Sequence, residues 1–237
     1  KRTQKIRQGQ IIEIVDETKK FNENGIEVKI IGNYHGNVKK IIKNENSISS
    51  DELLQKINNH EQKDFELKSS FHYDVDISKH TGIPTANNVL RKKVVEEVAA
   101  LMNTDGGIIC LGVDDQKNIL GLENDYKLLR DYHPETDLSV LRDKLLQEII
   151  QTIKNYLDDD LVLGLIDISI VLIDNKDVCC IKIKKSPEPI FVKTKINYTL
   201  DKKDKKDIIW KCWIRLDIGI RCVEFDTFMK YWKNRNN

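Results

Sequence analysis

Between residues 89 and 113 the chain runs through an amphipathic helix, a stop and an apolar strand without a break, and that succession limits the folds open to it. Leu90, Val94, Val98 and Leu101 recur at helical spacing over 89–102, so one face of that helix is apolar. Asn103, Thr104, Asp105, Gly106 and Gly107 then end the pattern, because glycine takes the left-handed exit that other residues resist. The apolar run 108–113 follows as a strand and stops at a turn over Asp114–Asn118. A strand is expected over 64–70, a polar loop over 71–87 and a strand over 119–122. Leu141, Leu145, Ile149 and Ile153 stripe a second helix over 138–157. Strands are expected over 165–173, 178–183, 190–193 and 211–216, with a last helix over 226–232. The order predicts an α+β fold, a mixed sheet flanked by helices.

Upstream, apolar-rich runs at 10–15, 26–31 and 38–42 read as a β-rich N-terminal extension over 1–48, and the main domain takes 49–237. Ser49 or Ser50 caps a short helix over 51–58. With 237 residues, 40% hydrophobic and 32% charged, the chain can bury a substantial core. No apolar stretch approaches the ~20 residues of a membrane span, and Lys1–Lys5 begin no apolar leader. The net charge is only +1, so any surface for phosphate must come from local clustering. The five cysteines show no zinc-ribbon spacing and read as small buried hydrophobes of a reducing, cytoplasmic setting. His35, His60, His72, His80 and His133 lack metal-ligand spacing and read as surface residues.

Two segments carry the chemistry. The first is Glu61-Gln62-Lys63-Asp64-Phe65-Glu66-Leu67-Lys68, where strand alternation puts Glu66 and Lys68 on one face. The second joins Asn103-Thr104-Asp105-Gly106-Gly107 through four apolar residues to Gly112-Val113-Asp114-Asp115. Together they resemble the Schlafen AlbA-type domain, whose members show a Glu, four residues, Glu, one residue, Lys, and then Asn-Thr-(Asp/Glu)-Gly-Gly, a strand and Gly-Val-Asp-Asp. Ser186-Pro187-Glu188-Pro189 and Trp213-Ile214-Arg215-Leu216-Asp217 extend the likeness over roughly 50–235.

The resemblance implies nucleic acid as partner and, by analogy with vertebrate members, a metal-dependent endoribonuclease of defence or stress type acting on tRNA or rRNA. Its three carboxylates map onto Glu61, Glu66 and Asp115, with Mg²⁺ or Mn²⁺ as the ion. Clustered carboxylates are tolerable around a cation, and such an ion lowers the pKa of its water and clamps a phosphate. Lys68 is placed to counter charge in the transition state. Vertebrate members bring two similar lobes and this chain one, which implies a homodimer or a partner subunit. The basic residues Lys182, Lys184, Lys185, Lys193, Lys195 and Arg215 are the expected phosphate contacts, whereas Tyr73, Tyr132 and Tyr198 are read as core or rim residues ahead of base stackers. Two other classes stay open: a non-catalytic binding or regulatory module, and a restriction-type nuclease, since Glu66-Leu67-Lys68 fits half of that signature.

Overall fold

The computed structural model describes residues 11–14, 27–30, 34–37, 48–59, 63–129, 136–157, 160–200, 203–217 and 219–235. The chain divides into two units, Lys1–Ser47 and Ile48–Asn237. In the first, β1 (Ile11–Ile14), β2 (Glu27–Ile30) and β3 (Tyr34–Asn37) form an antiparallel meander in the order β1-β2-β3. The strand expected over 38–42 lies outside the described residues.

The second unit opens with α1 (Ser50–Asn58), whose first turn is capped by the Ser49 hydroxyl accepting from the Glu52 amide at 3.2 Å. β4 (Phe65–Lys68) follows. The expected loop over 71–87 contains a helix, α2 (Val75–Thr81), that the polar composition conceals. Local capping accounts for it, with the Asp74 side chain accepting from the Ile77 amide and Gly82 closing the end at φ +70°. The chain continues through α3 (Asn88–Met102), β5 (Gly107–Leu111), the short α4 (Glu123–Tyr126) and α5 (Leu138–Leu157). A 3₁₀ turn (Asp160–Leu165) leads to β6 (Ile166–Ile173), β7 (Lys176–Ile183), β8 (Phe191–Leu200), β9 (Lys203–Leu216), β10 (Gly219–Val223) and α6 (Phe225–Arg235). The strand expected over 119–122 is reduced to one bridge, Val113 to Ile119, after which the Leu120 and Gly121 amides both donate to the single Gly112 carbonyl, at 2.8 and 3.0 Å, and continue no ladder.

Two sheets result. A mixed sheet has the order β4-β5-β7-β6, parallel between β4 and β5 and antiparallel elsewhere; β8, β9 and β10 make an antiparallel sheet in the order β10-β9-β8. Helix α3 contacts both sheets, and this explains why its C-terminal half is buried all round, from Val94 to Met102. α3 and α5 meet Ile109, Leu111 and Ile181 on one face of the mixed sheet. The opposite face, with Phe65, Leu67, Cys110 and Cys180, packs on Leu53 and Ile57 of α1. Each such fully buried aliphatic side chain contributes ~1.5–3 kcal/mol. All five cysteines are free, and Cys222 alone of them is exposed.

Candidate functional site

Four ionisable side chains meet where β4 runs beneath α3 and β9. Glu66 and Lys68 share one face of β4, as alternation requires, and the Lys68 ammonium donates to Glu66 Oε1. Glu66 is nevertheless buried, because β9 lays Arg215 across it. Arg215 is the largest fully buried side chain among the described residues, and all its nitrogens are engaged. Nε donates to the Lys63 carbonyl at 2.7 Å and Nη1 to Glu97 Oε2 at 2.9 Å. Nη2 donates to Glu66 Oε2 at 2.8 Å and to the Phe65 carbonyl at 3.2 Å. Arg215 thus joins the second sheet to the first strand of the mixed sheet. The sequence marks it as a phosphate contact; in the fold the guanidinium is buried, with four of its five N–H donors taken by two carboxylates and two carbonyls, so it does not face a surface ligand.

Glu97, on α3, completes the cluster. Its Oε1 lies 3.7 Å from Lys68 Nζ. Burial, reinforced by the neighbouring Glu66 charge, pushes its carboxyl up to about 7, although Lys68 and Arg215 pull the other way. The motifs do not single out Glu97, yet the sequence carries a signal for it. Residues 90, 94, 97 and 101 follow the spacing of a buried helical stripe, so Glu97 stands at a core position. A charge there requires a buried partner, and Arg215 supplies it.

The expected carboxylate triad is distributed differently. Glu61 lies outside the described residues. Asp115 is exposed in the turn after β5, while Asp114 closes that turn by accepting from the Asn118 amide at 2.8 Å and the Asn118 side chain at 2.9 Å. Among the described residues no three His, Cys, Asp or Glu side chains are grouped so as to hold a metal ion. Both Glu66 oxygens already face cations of the protein itself, so the described donors, taken without Glu61, do not fit Mg²⁺ or Mn²⁺ as they stand.

The glycine pair ending α3 sets the position of β4. Gly106 is at φ +78°, and a Cβ on Gly107 would come within 2.4 Å of the Asp64 carbonyl oxygen. That close approach lets the Ile108 amide donate to Asp64 at 2.8 Å and starts the parallel pairing with β4. Asn103, fully buried, donates to the carbonyls of Ile190 at 2.8 Å and Trp213 at 2.9 Å and accepts from the Ile190 amide at 2.8 Å. The motif residues therefore hold three segments together.

The lysines lie in two places. Lys182 is half-buried on β7, and Lys184 and Lys185 are exposed where that strand ends. Lys185 sits 3.8 Å from Asp105, which also pairs with Lys63 at 3.0 Å. The hydrogen bond from Lys63 and the charges of both lysines hold the Asp105 carboxyl below its usual value. Lys193 and Lys195 lie on β8 of the other sheet. Of the tyrosines read as core or rim residues, Tyr73 is half-buried in a bridge with Ala86, and Tyr132 and the Tyr198 side chain lie outside the described residues. His72, expected at the surface, is fully buried beside Asp125, and burial lowers its imidazole to about 4, so it is neutral. His35 lies on β3, His80 is exposed in α2, and His60 and His133 lie outside the described residues. No helix among the described residues is long and apolar enough to cross a membrane.

Comparison with known proteins gives three results. A family model described as Schlafen, AlbA_2 matches residues 61–217. No curated protein sequence matches the chain. Among solved structures, the DIP2311 protein from Corynebacterium diphtheriae is similar at 17% identity with a TM-score of 0.42, over 78% of this chain and 32% of that one, so the chain spans about a third of that protein's length.

Proposed function

Because this chain belongs to the Schlafen AlbA_2 family, with a nucleic-acid-related function, we propose that it is a nucleic-acid-binding module that favours RNA and contacts it through surface lysines. One observation carries this reading. The half-buried Lys68 and the buried Arg215 are balanced by Glu66 and Glu97, whereas Lys184 and Lys185 stand at the surface, where the exposed Asp105 lies beside Lys185. Exposed pairs of that kind are worth ~0–1 kcal/mol, so a phosphate displaces the carboxylate at little cost. The buried carboxylates then serve the architecture of the lobe.

A second reading, a divalent-metal-dependent endoribonuclease using Glu61, Glu66 and Asp115, has one observation in its favour. Glu97 is held at about 7, where a carboxyl both gives and takes protons at neutral pH. One experiment separates the two. Labelled tRNA, an rRNA fragment and single-stranded DNA are incubated with the protein in EDTA or Mn²⁺, and retention and fragments are read on the same samples. The binding reading expects retention without new fragments. It further expects Lys184→Glu with Lys185→Glu to weaken retention and flatten its salt dependence by ~0.7 log units for each single-strand phosphate no longer neutralised. Fragments that require Mn²⁺ and vanish in a Glu66→Gln variant whose melting temperature matches the parent's would transfer the assignment to the endoribonuclease. Retention of none of the three would sink both. Light scattering on the same mixtures reads whether two copies share one strand, the arrangement in which a homodimer would supply the second lobe.

A further inference from the structure

The sheet of β8, β9 and β10 has one face against α3 and another that α6 covers only in part. Alternation along β8 turns Phe191, Lys193 and Lys195 to this second face, and the register sets them opposite Cys212, Trp210 and Ile208 of β9. At the Cys212 end α6 closes the surface: Cys212, Ile214, Phe228 and Trp232 form a small buried cluster against which Phe191 packs. Past that cluster the face is open. Trp210 is 48% exposed, Ile208 46% and Phe225, at the start of α6, 58%. Phe225 stacks on Phe191 with ring centroids 6.2 Å apart and planes at 28°. Lys193 Nζ lies 5.8 Å from the centre of the Trp210 ring. Leu157, Pro189 and Ile190 join these three aromatics around a cleft of about 460 Å³.

Large aromatic side chains left open beside one another mark a surface that receives something flat and apolar. The charge on the same face decides what. Lys193 and Lys195 project from alternate positions of the edge strand next to the indole, so the occupant has flat apolar rings and negative charge alternating along its length. A purely apolar partner would leave the exposed Lys195 ammonium against its surface. Single-stranded nucleic acid has the required alternation, because every base offers a π-face and every linkage a phosphate.

We propose that this face is a stacking platform for single-stranded nucleic acid, in which Trp210 and Phe225 take bases and Lys193 and Lys195 take the adjoining phosphates. The assignment deepens the binding reading above and rests on it. The expected ligand is a flexible, unpaired segment, since bases in a duplex are not free to stack on a protein ring.

The test uses the full chain and two fluorescein-labelled probes of equal length, a 12-nucleotide oligouridylate and an abasic phosphodiester chain, read by anisotropy. Trp210→Ala is expected to weaken oligouridylate binding about tenfold, and Trp210→Phe to recover most of it. Phe225→Ala gives an independent loss of similar size. The parent should bind the abasic chain more weakly than oligouridylate, and Trp210→Ala should make no further difference to it. Lys195→Gln should weaken both probes and lower the salt slope. Melting temperatures close to that of the parent are expected for all variants, because the substituted side chains are exposed. Equal parental affinity for the two probes, or oligouridylate binding unchanged in both Trp210→Ala and Phe225→Ala, overturns the platform while leaving the binding reading in place. A parent that dimerises in light scattering and is split by Trp210→Ala with no change in oligouridylate affinity overturns it in favour of self-association. A parent that binds no nucleic acid at all removes the binding reading and the platform together.

Discussion

Arg215 and Glu97 show how a buried charge cluster shapes this molecule. Deleting one partner of such a cluster leaves an uncompensated charge in the interior, a change that typically costs ~3–5 kcal/mol, so Glu66→Ala would report on folding before it reported on chemistry. Glu97 gives a cleaner handle. Its carboxyl titrates at about 7 in the fold against an ordinary 4.5, raised by burial and by Glu66. A raised carboxyl contributes stability that is complete below about pH 4.5 and is lost as the pH climbs through about 7. Urea unfolding at pH 5 and pH 8 should therefore show the parent losing ~1–3 kcal/mol relative to Glu97→Gln across that interval. A pH-independent difference between the two proteins would mean that Arg215 and Lys68 keep Glu97 ionised throughout.

At the scale of elements, the end of α3 is the junction on which the lobe turns. Asn103 satisfies two carbonyls and one amide from the segments that begin β8 and run through β9; both bonds to Ile190 are buried and the one to Trp213 is partly so. Asn103→Ala strips all three partners, and at ~1–3 kcal/mol for each buried polar group left unsatisfied the loss is expected to reach about 3 kcal/mol or more. The measurement is the urea midpoint, with Thr104→Ala as comparison. Thr104 returns its hydroxyl to the Ala100 carbonyl of its own helix at 2.9 Å, so its removal should cost much less. Equal losses would place the strength of this junction elsewhere than in the asparagine bridge.

For the molecule as a whole, Lys1–Ser47 and Ile48–Asn237 form two compact units, and among the described residues the second holds three hydrophobic clusters of its own. Removing residues 1–47 is expected to leave a cooperative thermal transition within a few degrees of the parent's, since a change of ~1 kcal/mol moves the midpoint of a domain this size by about 2–4 °C. Circular dichroism melts of the two chains measure it. Loss of cooperativity on truncation would show that the first unit is part of the second one's core.

What could be read directly from the amino-acid order is what short-range physics governs. The helix expected over 138–157 has those ends in the fold, Ser49 caps α1, and Glu66 and Lys68 share a strand face, since spacing, capping and alternation each act within a few residues. The glycine pair also marks the end of α3, although the close approach of Asp64 to Gly107 emerges only in the fold. Tertiary structure decided the rest. Arg215 and Glu66 are 149 residues apart, and Arg215 and Glu97 are 118 apart, so neither residue's neighbours announce the pairing. Only the packing of the second sheet over α3 turns an expected phosphate contact into a buried tie, and only strand register sets Trp210 beside Lys193 on an open face. Charge and periodicity say which side chains prefer water; the long-range contacts of the sheets determine which of them the solvent still reaches.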